Sequence, residues 1–168
     1  SISLAELRLS EMGFELYKPS EDGDKAETGR CCDSFGFLGC TLHPKKCIPS
    51  SASIKRILGD AEESLSKSQG AIKRFRKNGG AFPSQQSPSA VLHTLGKKLY
   101  GWQKSFAFCD DVTAFEYIDE RIAGRVEKYN QIVGRLTRNL VPSEKAKVYG
   151  IPSAADMFNA NSRTTPDT

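Results

Sequence analysis

From Ser51 to Arg138 the apolar residues recur at three- and four-residue intervals, in three stretches separated by short loops. That spacing puts each set on one stripe of an α-helix, and such stripes are stable only when they bury one another. The first stretch starts near Ser51 or Ser53 and runs to about Phe75, with Ile54, Ile57, Leu58, Ala61, Leu65, Ile72 and Phe75 on its stripe and Gly70 as a candidate interruption. A loop of Gly79, Gly80, Pro83, Ser84, Gln85, Gln86 and Ser87 ends it. The second stretch has Ser87 as N-cap and Pro88 in the first turn, then Val91, Leu92, Leu95, Leu99, Trp102 and Phe106 along one seam. The third reads as opening on a capping box, Thr113 to Glu116, with Val112 and Tyr117 as a staple. Phe115, Ile118, Ile122, Tyr129, Val133 and Leu136 follow as its buried face, and Arg135 and Arg138 near its end suit the helix dipole. Short loops between three such helices imply a small bundle.

The first 49 residues read differently. Ile2, Ala5, Leu9 and Met12 predict a helix over residues 2–12, stopped by Gly13. Residues 14–17 suggest a strand, and residues 18–34 a polar loop. Phe35 to Leu42 is strand-like, His43 to Lys46 reads as a turn, and Cys47-Ile48 as a returning strand. After Pro142 the chain becomes polar, with Pro152 and Pro166 among Ser, Thr and Asn, and a flexible tail is expected. The expected architecture is α+β, mostly α: residues 1–49 with a helix and a β-hairpin, residues 50–140 as a three-helix bundle, residues 141–168 as tail. There is no internal repeat.

Charge is distributed unevenly. The net charge is +4 over 168 residues, yet residues 42–109 hold 12 Lys and Arg against 3 Asp and Glu. The segments on either side are acidic or near neutral. A basic block of this kind favours a polyanionic partner. No apolar run reaches the ~18–20 residues of a membrane span, so no membrane partner is expected, and the amphipathic, acidic N-terminus is unlike a secretory signal. The chain starts at Ser1 and not at Met, so a fragment or processed product is expected. Five cysteines, two of them the adjacent Cys31 and Cys32, make an orderly disulfide framework a poor reading. A reduced, cytoplasmic setting is expected.

The order of short motifs carries a resemblance. Gly13-Phe14-Glu15-Leu16 after a helix, Phe35-Gly36-Phe37-Leu38-Gly39 in an apolar strand, Ile48-Pro49-Ser50 leading into a helix, Leu99-Tyr100-Gly101-Trp102 followed by Phe106-Ala107-Phe108-Cys109, and Ile118-Asp119 with Ile122 occur in that order over residues 1–138. This arrangement resembles the end of the palm and the thumb of bacterial reverse transcriptases of the retron and group II intron type. The resemblance implies a short palm remnant followed by a three-helix thumb. It implies a primer-gripping hairpin at Phe37, Leu38 and Gly39, with Phe37 and Leu38 anchoring the strand in the core and Gly39 allowing close backbone approach. Lys45 and Lys46 at a hairpin tip, and Lys55, Arg56, Lys73, Arg74, Arg76, Lys77, Lys97, Lys98 and Lys104 on the helices, are the residues expected to meet phosphates. The partners implied are an RNA template, an RNA–DNA duplex and the rest of the palm and fingers. Mg2+ is implied for the parent polymerase and no cofactor for this chain. The Leu99-Tyr100-Gly101-Trp102 stretch and the Cys109-Asp110-Asp111 turn lean toward the antiviral defence enzymes among these families.

Other constellations point elsewhere. Phe108-Cys109-Asp110-Asp111 imitates the YxDD box that holds catalytic metals. It sits where acids favour a helix N-terminus, and no earlier apolar strand offers a third carboxylate, Asp33 following a polar loop. No catalytic residue is therefore expected here, and the chain alone is not expected to polymerise. Gln85-Gln86-Ser87-Pro88 reads as a helix-entry loop. Cys40-x-x-His43-x-x-x-Cys47 has thiol and imidazole ligands at short spacing, but matches no standard zinc knuckle, so small buried cysteines are expected. His93, within the second helix beside apolar residues, is expected to be structural. Two further readings share the basic block: a non-catalytic, maturase-like RNA-binding module, and a plain helical interaction domain with a solvated basic face.

Overall fold

A computed structural model of the chain describes residues 7, 9–13, 33–155, 157 and 158. The chain divides into two units, residues 1–35 with 43–45, and residues 36–42 with 46–168. In the first unit, Leu7 and residues 9–11 are helical. The N–H groups of Met12 and Gly13 donate to the Leu9 and Ser10 carbonyls, and Gly13 takes φ +81°, the glycine stop that the sequence signals. The remainder of the expected first helix, the strand at 14–17 and residues 18–32 of the loop, with Cys31 and Cys32, lie outside the described residues.

The architecture is mostly α with a small antiparallel sheet of three strands. Strand β1 is Phe35–Phe37, β2 is Cys40–His43 and β3 is Lys46–Pro49, in that spatial order. The run from Phe35 to Leu42 is therefore not one strand. It folds back at Leu38-Gly39, where both residues have positive φ, +48° and +79°. Two central residues of positive φ are what a tight two-residue hairpin turn requires, because their twist matches that of the flanking strands.

Helix α1, Ser51–Asn78, is the long element. At ~1.5 Å per residue it is about 42 Å long. Ser50 caps it, accepting from the Ser53 N–H, and Gly79 at φ +64° closes it, donating to the Phe75 carbonyl. Gly70 does not interrupt it, since a lone glycine costs a helix only about 1 kcal/mol. Helix α2, Pro88–Ser105, starts as expected, with the Ser87 hydroxyl accepting from the Ala90 N–H. It leads to Phe106, which is buried. Helix α3, Val112–Thr137, is capped two residues earlier than the proposed capping box. Asp111 is the cap: its carboxylate accepts from the N–H and hydroxyl of Thr113. Those bonds hold its carboxyl below the usual range. Val112 and Tyr117 are exposed and form no staple core.

These helices run up, down and up. Lys98 on α2 pairs with Asp60 on α1, while Gln86, just before α2, meets Ser68 further along α1. Arg125 and Tyr129 of α3 meet Leu58 and Ser68 in ascending order. Ile57, Leu58, Ala61, Leu65, Ile72 and Phe75 of α1 pack with Val91 and Leu95 of α2 and with Ile118, Ile122, Tyr129 and Val133 of α3. The stripes anticipated from spacing are thus the observed core.

Two features lie outside the pattern. Residues 142–148, expected to begin a flexible tail, form helix α4 (Pro142–Val148). Val148 is fully buried in the bundle core, and Ser89 donates to the Tyr149 carbonyl. Ser68 is also fully buried, in mid-stripe. Its hydroxyl donates to the Gln86 carbonyl at 2.7 Å, so the Tyr129 hydroxyl, also 2.7 Å away, donates to Ser68. Burial pushes the Tyr129 phenol up, partly offset by the Ser68 bond.

The asymmetry of that chain of bonds predicts unequal substitutions. Tyr129→Phe leaves the Ser68–Gln86 bond intact and should cost about 1 kcal/mol in urea unfolding. Ser68→Ala strands both a phenol and a carbonyl and should cost about 2–3 kcal/mol. Equal losses would rule out the shared network. Because the folded phenol is raised above its ordinary value, Tyr129 stabilises fully below pH 10.0, and that contribution falls as pH rises through the folded value.

Candidate nucleic-acid interface

The β1–β2 turn is built on the start of α1. The Gly39 carbonyl accepts from the Ser50 N–H at 2.8 Å and from the Ser53 hydroxyl at 2.9 Å. A Cβ on Gly39 would lie 2.8 Å from the Ser53 Oγ and 3.4 Å from the Phe106 ring. Close backbone approach at Gly39 is thus what the fold uses. The expectation that Phe37 and Leu38 anchor the strand in the core is overturned. Phe37 is 58% exposed and Leu38 78% exposed. Phe37 ends β1, whose three residues are all exposed, and Leu38 is the first residue of the turn, so neither side chain joins the buried core of Cys40, Cys47 and Phe106. Leu38 also holds φ +48°, a conformation that costs a non-glycine residue ~1 kcal/mol.

Beside this turn, Ser53, Arg56, Ile57, Asp60, Trp102 and Phe106 line a hollow of about 190 Å³. Trp102 lies 4.6 Å from Phe106 with the rings tilted at 43° and meets Phe115 edge-on at 5.6 Å, which makes it the ring shared by the sheet core and the bundle core. Gly101 has open space around it, so its role is not close packing.

The basic residues fall into two groups. Lys55 and Arg56 are exposed in the first turns of α1, and Lys98 reaches Asp60 at 3.9 Å near the same end. Lys97 and Lys104, seven residues apart, share an exposed face of α2, and the Lys104 ammonium lies 5.4 Å over the Tyr100 ring. Lys73, Arg74, Arg76 and Lys77 are exposed at the far end of α1, where positive charge also suits the dipole. Arg74 donates to Gln86 there. Lys55 with Lys73, and Arg56 with Arg74, are each 18 residues apart. That is five helical turns, so each pair shares one azimuth at about 27 Å. The stripe between is not wholly basic. Glu62 and Glu63 lie on it, Glu62 paired with Arg125 at 3.2 Å and Glu63 with Lys67 at 2.7 Å. Lys67 holds the Glu63 carboxyl below its usual range. Lys46 is exposed at the start of β3, and Lys45 is exposed in the turn before it.

The YxDD-like run is structural. Residues 106–108 form a turn, Asp111 caps α3, and the Asp110 carboxylate accepts from the Cys47 N–H at 3.3 Å while its own N–H donates to the Cys47 carbonyl at 2.9 Å. Gln85-Gln86 belongs to a short 3₁₀ turn, Ser84–Gln86, leading into the α2 cap. His93 is exposed, which its apolar sequence neighbours did not suggest.

Sequence reasoning missed one grouping. Cys40, Cys47 and Cys109 converge, with sulfur separations of 3.5 Å for Cys40–Cys109 and 3.6 Å for Cys47–Cys109. Cys109 lies 62 residues from Cys47, so no local spacing announces the set. Burial pushes the Cys40 and Cys109 thiols up. His43, three residues after Cys40 in the same strand and hence on its other face, is not among the converging groups.

The turn generates a paired prediction. Leu38→Gly relieves the positive-φ cost and should raise stability by about 1 kcal/mol, while Gly39→Ala should lower it by about 2 kcal/mol. Thermal melts of both variants check this, and a destabilised Leu38→Gly would contradict the turn geometry. Among the described residues no helix is long and apolar enough to cross a membrane. Comparison with protein-family models, with curated proteins and with solved structures finds no match for this chain.

Proposed function

We propose that this chain is the primer-gripping and duplex-binding C-terminal part of an RNA-directed DNA polymerase of the retron or group II intron type. The observation that supports this most is the unbroken α1, which carries Lys55-Arg56 and Lys73-Arg74 at one azimuth about 27 Å apart. Cations fixed at such a separation contact phosphates along a duplex without reading sequence. Lys97 and Lys104 extend the basic surface onto α2. The exposed, strained Leu38 at the hairpin tip supports the primer-gripping role, since an apolar residue held in an unfavourable conformation at the surface has no packing reason to be there. In this reading α1, α2 and α3 form the thumb, with the cations of α1 and α2 meeting the phosphates, and the turn at Phe37-Leu38-Gly39 presses against the primer terminus. The carboxylates that hold Mg2+ come from the remainder of the palm, outside this chain.

The test is binding of the full chain to an RNA–DNA hybrid with a recessed 3′ end, across a salt series. Changing Lys55, Arg56, Lys73 and Arg74 together to Glu should weaken binding by at least about tenfold and flatten the salt dependence. Unchanged affinity removes the thumb assignment. A structured RNA hairpin bound as tightly as the hybrid, with the same sensitivity to the four changes, transfers the reading to a maturase-like RNA-binding module. No binding to either leaves a helical interaction domain.

A further inference from the structure

The three converging cysteines are not explained by packing alone. The buried core of the sheet consists of Cys40, Cys47 and Phe106, with Leu42, Trp102, Cys109 and Phe115 partly buried around them. Strands of three and four residues need more than this, because a sheet so small is marginal by itself and small cores are commonly secured by a metal or disulfides. Thiols are poor filler: each buries less apolar surface than valine or isoleucine. Nor does packing require three sulfurs to seek one another. Here they come from three elements, β2, β3 and the segment between α2 and α3, and all three lie within 4.8 Å of one another.

The distances are those of thiols in S–H···S contact, and they also fit ligands that share one metal ion. A disulfide needs sulfurs ~2.05 Å apart, far closer than the 3.5 and 3.6 Å observed. Four ligands at about 2.3 Å around a tetrahedral zinc ion have edges of about 3.8 Å. The positions are also held in advance. Cys40 and Cys47 sit in neighbouring antiparallel strands, and Cys109 is tied to β3 by the two bonds between Asp110 and Cys47. An all-sulfur donor set selects soft or borderline cations, and iron–sulfur clusters call for four cysteines rather than three.

We propose that Cys40, Cys47 and Cys109 form a zinc site, with three thiolate ligands and a fourth position open to water. Its role is structural. It joins the β-hairpins to the segment that leads into α3 and closes a loop of some 60 residues, restricting the unfolded chain. It thereby holds the Leu38-Gly39 turn and the start of α3 in one frame. The site stands independently of the nucleic-acid reading, and its test does not involve nucleic acid.

The full chain, reduced, stripped with a chelator and kept anaerobic, is titrated with Co2+ and then Zn2+. The expected result is thiolate-to-cobalt charge transfer with tetrahedral visible bands, saturating at one ion per chain and displaced by zinc. Cys40→Ser, Cys47→Ser and Cys109→Ser should each lose the spectrum, with far-UV circular dichroism reporting whether the helices persist. Should a variant fail to fold, mapping of thiol alkylation in the unaltered chain decides the matter. Zinc should protect Cys40, Cys47 and Cys109 together. A wild-type chain that shows no cobalt–thiolate spectrum, or zinc that protects none of the three, overturns the site.

Discussion

Helix α1 is the element against which the bundle is arranged, and its continuity is the constraint the arrangement rests on. Its stripe from Ile57 to Phe75 faces α2 on one side and α3 on the other, so a break at Gly70 would have divided the core. The helix survives because its two ends are closed by Ser50 and Gly79 and its buried face is filled along its length. A glycine penalty of about 1 kcal/mol is small beside the burial of Ile72 and Phe75, each worth roughly 1.5–3 kcal/mol. The buried hydroxyl of Ser68 sets the register at mid-helix. It satisfies the Gln86 carbonyl and the Tyr129 phenol at once, and a slip of either neighbour would leave a polar atom unpaired in the core.

The same helix fixes the sheet. Its N-cap residues receive the Gly39 carbonyl, so the tight turn is held by the element that carries Arg56. This coupling explains why Leu38 tolerates a positive φ: the hydrogen bonds at Gly39 and the absence of room for a Cβ there determine the turn, and Leu38 follows. The sheet core is small and rich in sulfur, while the bundle core is large and aliphatic. Trp102 bridges the two and transmits the position of one to the other.

Electrostatics refine the picture that composition suggested. The excess of Lys and Arg in residues 42–109 does not make one continuous patch. It separates into groups at the two ends of α1, with Glu62 and Glu63 between them, each engaged by a neighbouring cation. In the proposed duplex-binding role, cations at two points along an axis would meet phosphates that recur along the length of the duplex.

Spacing alone determined the three long helices, the Ser87 cap with Pro88, the stop at Gly13 and nearly every residue of the bundle core, because helical periodicity and capping are local properties. The turn at Leu38-Gly39 was hidden by its apolar neighbours, which read as one strand. Helix α4 was hidden because seven mostly polar residues with one buried valine carry no period. The cap at Asp111 competed with an equally plausible box two residues later. Which separate elements meet is settled by packing: Ser68 with Tyr129, Trp102 with two cores, and Cys109 with Cys40 and Cys47. The Ser68 and Cys109 contacts span some 60 residues of chain, and they exist because the helices pack in a particular register, a property of complementary surfaces that no local pattern encodes.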